Sequence, residues 1–227
     1  MSKPRIQVEF FHDVICSFCF PMSYRMRQLV ESMPNVDIVH RSFALVSEPR
    51  DFDRMFGSRE RAKGEILSHW RAANMNDDLH RFNIVGMQNS DFPFPTSLNG
   101  LRAAKAAWFV GGEAAYWDAF DALQAAFFIQ SKDVGDDGVI RSAIAGSGIN
   151  VDAWSAHYES DAVADAVTAD LSRAAQYGVR GVPALVVNGE HLISGAQPLA
   201  ALKDALTRIG DEMPDEASVG VCTPDGC

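Results

Sequence analysis

Two cysteines near the start of the chain have the spacing of a redox pair. Cys16 and Cys19 enclose Ser17 and Phe18, and they follow an apolar run, residues 6–11, that predicts a buried strand. A helix that starts near Cys16 would bring both sulfurs to its N-terminus, where unpaired N–H groups and the helix dipole favour an anion. We therefore predict that Cys16 is an attacking thiolate and that Cys19 resolves the intermediate.

The two ends of the chain predict the elements of one sheet. Hydrophobic periodicity and turn residues divide residues 5–43 into a β-α-β unit and residues 161–209 into an α-β-β-α unit. Pro21 lies inside the first predicted helix, where its missing N–H should kink the axis. Asn188 and Gly189 favour a hairpin, because a type I′ turn needs positive φ at both central positions. These patterns predict the α/β fold class.

The middle of the chain predicts helices without convincing strands. Residues 47–165 should form a helical subdomain inserted into a discontinuous domain of residues 1–46 and 166–210. A polar, acidic tail occupies residues 211–227. The candidate helices of the insertion are 58–73, 76–82, 97–110, 112–130, 137–146 and 151–158.

Charge and composition exclude several partners. The 227 residues include 20 basic and 30 acidic side chains, a net charge of −10, which opposes binding to nucleic acid. We expect no membrane span, because no run approaches about 18 apolar residues. Only four cysteines are present, and no signal peptide follows the first charges, so we expect a cytoplasmic protein.

The order of these features resembles the thioredoxin superfamily, specifically DsbA-like oxidoreductases. The shared features are a Cys-x-x-Cys after a strand, an all-helical insertion, and a Gly-Val-Pro before a hairpin. The resemblance implies a thioredoxin fold, a mixed central sheet flanked by helices, with an all-helical inserted subdomain. Residues 13–19 and 194–197 look like the FrnE branch, where the usual motif is Cys-Pro-Trp-Cys. Ser17 and Phe18 depart from that motif and leave the redox potential open.

The same resemblance implies a substrate-binding loop at the far end of the chain. Val182 and Pro183 look like the family's cis-proline loop, although sequence does not show a cis bond. The residue before a proline is held extended, so Val182 would offer its backbone N–H and C=O to a peptide strand. Its small side chain would leave Cys16 reachable. The expected substrate-binding residues are Val182, Pro183 and Phe18.

Three ionisable side chains lie near the pair in the sequence, and Glu9 is the candidate for proton transfer. Glu9 lies within the apolar strand, where burial would raise its pKa towards a useful range, unless it points to solvent. Asp13 is expected to cap the helix, because its charge would oppose a thiolate. His12 either stabilises the thiolate or has a structural role at the strand end.

A second cysteine pair, Cys222 and Cys227, lies near the C-terminus. Pro224, Asp225 and Gly226 between them favour a turn that would bring the sulfurs together. Some FrnE-like proteins carry such a Cys-x4-Cys pair that exchanges with the active-site pair. The resemblance thus implies an internal relay; a passive thiol tail and half of a zinc site are the alternatives.

The predicted function is a cytoplasmic thiol–disulfide oxidoreductase, a reductase or an isomerase. It would act on protein or small-molecule disulfides through a mixed disulfide, without a cofactor unless glutathione serves as a thiol partner. A glutathione-dependent isomerase or transferase of the kappa or hydroxychromene-carboxylate type is one alternative, but that branch usually has Ser at the reactive position and lacks a counterpart of Cys19. A four-cysteine metal-binding module is another, and it would require all four sulfurs to converge. The oligomeric state stays open.

Overall fold

A four-stranded sheet joins the two ends of the chain. The computed structural model describes residues 4–213. The sheet order is β2-β1-β3-β4; β1 pairs parallel with β2 and antiparallel with β3, and β4 pairs antiparallel with β3. The strands are β1 (Ile6–His12), β2 (Val36–Ser42), β3 (Ala184–Val187) and β4 (His191–Ser194). This mixed sheet with its flanking helices confirms the predicted fold class.

Most helices lie between β2 and β3 in the chain. They are α1 (Cys19–Ser32), α2 (Pro49–Phe56), α3 (Arg59–Asn76), α4 (Ile84–Asn89), α5 (Ser97–Gln124), α6 (Asp137–Gly146), α7 (Val151–Tyr158), α8 (Asp161–Gln176) and α9 (Leu199–Asp211), with a π-helical turn, Ala125–Ile129, after α5. The proposed boundary between residues 165 and 166 falls inside α8, and the division into domains stays a prediction. Within residues 4–213, no helix is long and apolar enough to cross a membrane.

Strand β1 is buried on both faces of the sheet. Successive side chains of a strand point to opposite faces. Phe10 packs in one core with Met26 of α1 and Leu206 of α9, whereas Phe11 packs in another core with Ala174 of α8. The end of β1 is therefore held firmly, and the turn that carries the cysteine pair leaves from this end.

The helical insertion packs directly against the cysteine turn. Cys16, Cys19 and Phe20 belong to the same hydrophobic core as the buried aromatic side chains of α3 and the π-helical turn. The ring of Phe20 stacks on Phe128, with 5.2 Å between the ring centroids. The insertion therefore forms part of the surroundings of the cysteine pair.

Two predictions about proline and helix position are wrong. Helix α1 begins at Cys19, so Pro21 lies in its first turn, where an N–H has no partner within the helix, and the predicted kink has no cause. The predicted helix 76–82 is a turn. Asp77 ends α3 with extended backbone, and its carboxylate accepts a hydrogen bond from the Arg81 N–H at 2.8 Å, which competes with helical pairing.

Helix α2 lies before the first predicted helix of the insertion, in a stretch rich in charged residues for which no helix was predicted. Pro49 occupies its first position, and Glu48 and Asp51 form a reciprocal capping box. Its Phe52 is fully buried. This short helix places its apolar face beside the cysteine turn.

Local residue patterns predict both the hairpin and the long central helix. Asn188 and Gly189 have φ values of 52° and 74°, and β3 pairs with β4, which confirms the predicted hairpin. The predicted helices 97–110 and 112–130 correspond to α5 and the π-helical turn that follows it, and the backbone of Gly111 and Gly112 between them is not helical.

Candidate active site

The cysteine turn, residues 13–18, connects β1 to α1. The Cys16 N–H donates to the Asp13 carbonyl at 3.1 Å. The Cys19 N–H is directed at the Cys16 carbonyl oxygen, 3.1 Å away, and at the Cys16 Sγ, 3.2 Å away. Cys16 therefore lies just before the helix, not within it, and its sulfur faces an N–H of the helix N-terminus.

The two thiols have unequal environments. Both are free, and Cys16 is 4% exposed whereas Cys19 is 0% exposed. Burial raises the pKa of the Cys19 thiol well above its usual value, and the neighbouring Cys16 sulfur and Asp13 carboxylate raise it further. Cys19 is thus held as a thiol, and an external reactant meets the Cys16 sulfur first.

The Val182–Pro183 loop lies against Cys16. The peptide bond between Val182 and Pro183 is cis. The Cys16 thiol donates a hydrogen bond to the Val182 carbonyl oxygen at 3.5 Å. The Pro183 carbonyl accepts from the Gly195 N–H at 2.8 Å, and the Val182 N–H has no partner within the described residues. A segment near the end of the chain thus forms a second side of the site.

Glu9 is buried, but its environment is opposite to the predicted one. Arg41 donates to its carboxylate at 2.7 Å, and the Tyr177 hydroxyl does so at 2.8 Å; Arg173 binds it through two nitrogens. Burial alone would raise its pKa, but the hydrogen bonds from Arg173, Tyr177 and Arg41 outweigh burial and lower the pKa to about 2. The expectation of a raised pKa at Glu9 is therefore wrong.

Asp13 is the buried carboxyl group beside the pair. Its side chain is 0% exposed and accepts hydrogen bonds from the Ser97 hydroxyl at 2.6 Å and from the N–H groups of Leu45 and Ile15 at 2.8 and 3.1 Å. Burial raises its pKa to about 6. It does not cap α1, whose first residues receive no side-chain cap. Asp13 instead joins the turn to the β2–α2 loop and to α5.

His12 has a structural environment. Its Nε2 lies 3.0 Å from Nδ1 of His40, and its ring contacts Phe120, with 3.9 Å between the centroids. Both histidines are buried, and burial lowers the pKa of each. Within the described residues, His12 makes no hydrogen bond to either cysteine. The pairing of His12 with His40 could not be inferred from their separation in the sequence.

A cavity of about 250 Å³ opens beside the Cys16 sulfur. Its walls come from the cysteine turn, the β2–α2 loop, α2, α3, the segment before α5, and the Val182 loop. The residues are Ile15, Cys16, Ser17, Phe18, Leu45, Val46, Phe52, Met55, Phe56, Ile66, His69, Trp70, Phe94 and Val182. Phe18 and Val182 were expected to bind substrate. The α2 residues were missed because α2 was not predicted, and the α3 residues were missed because the sequence predicts that helix but not its position beside Cys16.

The described part of the chain offers no set of side chains that could bind a metal ion. Within residues 4–213, no group of three or more His, Cys, Asp or Glu side chains is placed to hold a metal ion. Cys222 and Cys227 lie outside the described residues, so their relay and the metal alternative stay predictions.

Solved structures with the same fold cover almost all of the chain. A probable DsbA oxidoreductase from Streptomyces coelicolor is 24% identical, with a TM-score of 0.73 over 98% of each chain. The cytosolic disulfide reductase DsbM from Pseudomonas aeruginosa is 14% identical, with a TM-score of 0.69 over 89% of this chain and 99% of its own. A 2-hydroxychromene-2-carboxylate isomerase is 17% identical, with a TM-score of 0.65 over 89% and 95%.

A match between the sequence and a family model identifies the family of the chain. No curated protein matches the chain. The family model of the DSBA-like thioredoxin domain matches residues 7–207, which confirms the DsbA-like resemblance and the expected enzyme class. The chain belongs to the DSBA-like thioredoxin domain family of thiol–disulfide oxidoreductases.

Proposed function

We propose that this protein is a cytoplasmic disulfide reductase or isomerase with Cys16 as its nucleophile. The observation that carries the proposal is the unequal burial of the two thiols: Cys16 opens on a cavity, whereas Cys19 is enclosed behind it. The cytoplasmic location is supported by the low number of cysteines, and in a reducing compartment net reduction is the favoured direction. A DsbM structure with glutathione shows a small thiol bound by a protein of this fold.

The reaction transfers two electrons from the protein to the substrate. The Cys16 thiolate attacks one sulfur of the substrate disulfide, which forms a mixed disulfide and releases the other sulfur as a thiolate. Cys19 then loses its proton and attacks the Cys16 sulfur. This step forms the Cys16–Cys19 disulfide and releases the second substrate thiolate. The protein pair is oxidised, and the substrate disulfide is reduced to two thiols.

Resolution requires a base, because the Cys19 thiol is protonated. Asp13 is a better candidate for this base than Glu9. The charge of its carboxylate raises the pKa of the Cys19 thiol, and its own pKa is about 6. At neutral pH it is largely ionised and can accept a proton. We assign proton acceptance to Asp13, and we assign to Glu9 the structural task of pairing with Arg41 and Arg173.

Turnover requires a thiol reductant for the oxidised pair. Two equivalents of a small thiol such as glutathione would restore Cys16 and Cys19 and become oxidised to a disulfide. The Cys222 and Cys227 thiols, if close enough, would perform the same exchange within the chain. The relay rests on the Cys-x4-Cys spacing, and membership of the FrnE branch rests on that spacing and on residues 13–19 and 194–197.

Insulin-disulfide reduction in the presence of a small thiol tests the function. We expect activity in the wild type and in Cys222→Ser, and none above the thiol background in Cys16→Ser. Equal activity in wild type and Cys16→Ser would refute the proposed nucleophile. The relay is tested separately, by the rate at which the Cys16–Cys19 disulfide is reduced in the wild type and in Cys222→Ser. Equal rates would refute the relay and leave the nucleophile assignment intact.

A further inference from the structure

We propose that Arg25 is a positioning residue for the reaction at Cys16. Its guanidinium binds the Gln197 carbonyl and so fixes a turn of residues 194–197, which we call the supporting turn. The supporting turn keeps the Val182–Pro183 loop in register with Cys16. This inference rests on the proposed function, because it concerns how the proposed nucleophile and an incoming disulfide are aligned.

Arg25 is a buried cation on α1, with a side chain that is 4% exposed. A buried guanidinium is stable only where its charge and its five N–H groups have partners. The Asp78 carboxylate accepts two hydrogen bonds from Arg25, each of 2.9 Å. Asn76 accepts two more, one through its side-chain oxygen at 3.0 Å and one through its carbonyl, and the Gln197 carbonyl accepts the fifth at 3.2 Å. Every donor of Arg25 is therefore used.

The partners of Arg25 belong to separate segments of the fold. Asn76 is the last residue of α3 and Asp78 lies just after it, whereas Gln197 lies between β4 and α9. Arg25 itself is on α1, the helix that begins at Cys19. The planar guanidinium holds its donors in a rigid fork, so it fixes these segments relative to one another. A displacement of the supporting turn would leave an N–H of a buried cation unpaired, which is costly.

The supporting turn binds the loop that faces Cys16. The Gly195 N–H donates to the Pro183 carbonyl at 2.8 Å. The side-chain amide of Gln197 donates to the Ser194 carbonyl at 2.7 Å, which closes the turn. Gly195 has a φ of 81°, a left-handed conformation that glycine adopts readily. A position that is fixed at Gln197 is therefore passed through a closed turn to Pro183.

The contact between Cys16 and the loop is lost when the cysteine reacts. The Cys16 thiol donates to the Val182 carbonyl oxygen at 3.5 Å, and a thiolate has no proton to donate. Strand β3 begins at Ala184, so the pairing of the sheet does not extend to Val182. The connection from Arg25 through the supporting turn does not depend on the Cys16 proton. Arg25 therefore keeps the loop in place at the moment when Cys16 attacks.

The substitution Arg25→Lys tests the inference, because it retains the charge but not the fork. An ammonium group has its three donors on one atom, so it should favour the charged Asp78 over the Gln197 carbonyl. The substrates are the symmetrical disulfide of an N-acetylated, C-amidated alanine-cysteine-alanine peptide and hydroxyethyl disulfide, which has no peptide backbone. Each is mixed with the reduced protein, and the second-order rate constant of protein oxidation is measured by acid quenching and mass spectrometry.

The loss should depend on the substrate. We expect the rate constant for the peptide disulfide to fall about tenfold in Arg25→Lys, because the displaced loop no longer aligns the peptide backbone. The rate constant for hydroxyethyl disulfide should change by less than about twofold, because this substrate has no backbone to align. The ratio of the two rate constants is therefore the quantity that reports positioning.

Arg27→Lys is the matched control, because it makes the same substitution on the same helix. Arg27 binds Asp118 and Asp121 of α5, at 2.9 and 2.7 Å, and within the described residues it makes no hydrogen bond to the supporting turn. The ratio should stay at its wild-type value in this variant. A general loss of folded protein would lower both rate constants together and leave the ratio unchanged. An equal fall of the ratio in both variants would contradict the inference.

Amide hydrogen exchange at Gly195 reports the supporting turn directly. Its N–H is bonded to the Pro183 carbonyl, so a loosened turn should exchange about tenfold faster in Arg25→Lys and at the wild-type rate in Arg27→Lys. The amides of β1 serve as the reference, because a general loss of stability accelerates their exchange as well. The change at Gly195 is therefore measured relative to β1.

The possible failures are distinguishable. An unchanged ratio, or an unchanged relative exchange of Gly195, in Arg25→Lys overturns the inference. If Arg25→Lys does not fold, Gln197→Ala takes its place; it loses the amide bond to the Ser194 carbonyl and should lower the ratio about threefold, and an unchanged ratio overturns the inference. If the wild type reduces hydroxyethyl disulfide but not the peptide disulfide, Cys16 is competent and the inference alone is wrong. If the wild type reduces neither, the proposed function itself fails.

Discussion

The thiol of Cys16 donates a hydrogen bond to the main-chain oxygen of Val182, 166 positions further along the chain. Only a thiol can make this bond, because a thiolate has no proton to donate and its charge would repel the carbonyl oxygen. Ionisation of Cys16 therefore releases the Val182 carbonyl. The same event that activates the nucleophile makes this acceptor available for a peptide strand.

Cys19→Ser should trap the mixed disulfide between Cys16 and a substrate thiol. Attack by Cys16 is retained, whereas a hydroxyl at position 19 cannot resolve the adduct. Non-reducing mass spectrometry after mixing with a peptide disulfide should show one peptide attached per chain. The Cys16→Ser variant supplies the control and should carry no adduct. A stable adduct on Cys16→Ser would show that another cysteine is the nucleophile.

Asp13→Asn should slow resolution of the mixed disulfide by about tenfold or more near neutral pH, because the amide cannot accept the Cys19 proton. In the wild type, the resolution rate should fall as the pH drops through about 6, where the Asp13 carboxylate becomes protonated. The variant should lack this dependence.

The pH profile separates a proton acceptor from a merely structural Asp13. Glu9→Gln removes another buried carboxylate of this region and should leave the profile unchanged. If Asp13→Asn resolves the adduct at the wild-type rate with the same pH profile, Asp13 does not accept the proton.

Glu9→Gln should destabilise the fold by about 2 kcal/mol without affecting the redox potential of the pair. The carboxylate is 2% exposed and joins Arg41 of β2 to Arg173 of α8, whose side chains are 27% and 40% exposed. Their partial exposure limits the loss, because water can solvate the guanidinium groups that remain. Urea unfolding and a thiol–disulfide equilibrium measure the two quantities. A shifted potential with unchanged stability would contradict the structural role of Glu9.

The stability of the protein should decrease on acidification from about pH 6 to pH 4. The folded state keeps His12 and His40 neutral, with the pKa of His40 lowered to about 3, so the unfolded chain binds two more protons in this window. Asp13 acts in the opposite direction, because its pKa of about 6 in the folded state lies above its ordinary value of 3.8. For these three groups together the unfolded chain binds about one more proton, which corresponds to roughly 1.4 kcal/mol lost per pH unit.

Glu9 extends this loss to lower pH. Its pKa of about 2 in the folded state lies below its ordinary value of 4.5, so its contribution to stability disappears as the pH falls from 4.5 towards 2. Urea midpoints measured between about pH 4.5 and pH 2 test this contribution of Glu9, and midpoints measured between about pH 7 and pH 4 test that of the histidines. Constant or rising stability over that range would mean that the histidines are not held neutral.

The sequence by itself determined the strand, the cysteine pair and the hairpin, because each depends on residues close together in the chain. The apolar run before Cys16 indicated β1, and Asn188-Gly189 indicated the turn between β3 and β4. Hydrophobic periodicity also placed most of the helices. These signals are local, and they were enough for the fold class and for the resemblance to DsbA-like proteins.

Only the tertiary structure decided which groups surround the two sulfurs. The pKa of Glu9 depends on Arg173, 164 positions away, which reverses the effect of burial. Asp13 became the carboxyl group of the site because Ser97 and the β2–α2 loop enclose it. The cavity could not be predicted from the sequence, because α2 forms one of its walls and the charged residues of this short helix obscure its apolar face. Burial and ion pairing are properties of distant segments brought together, and periodicity along the chain does not specify them.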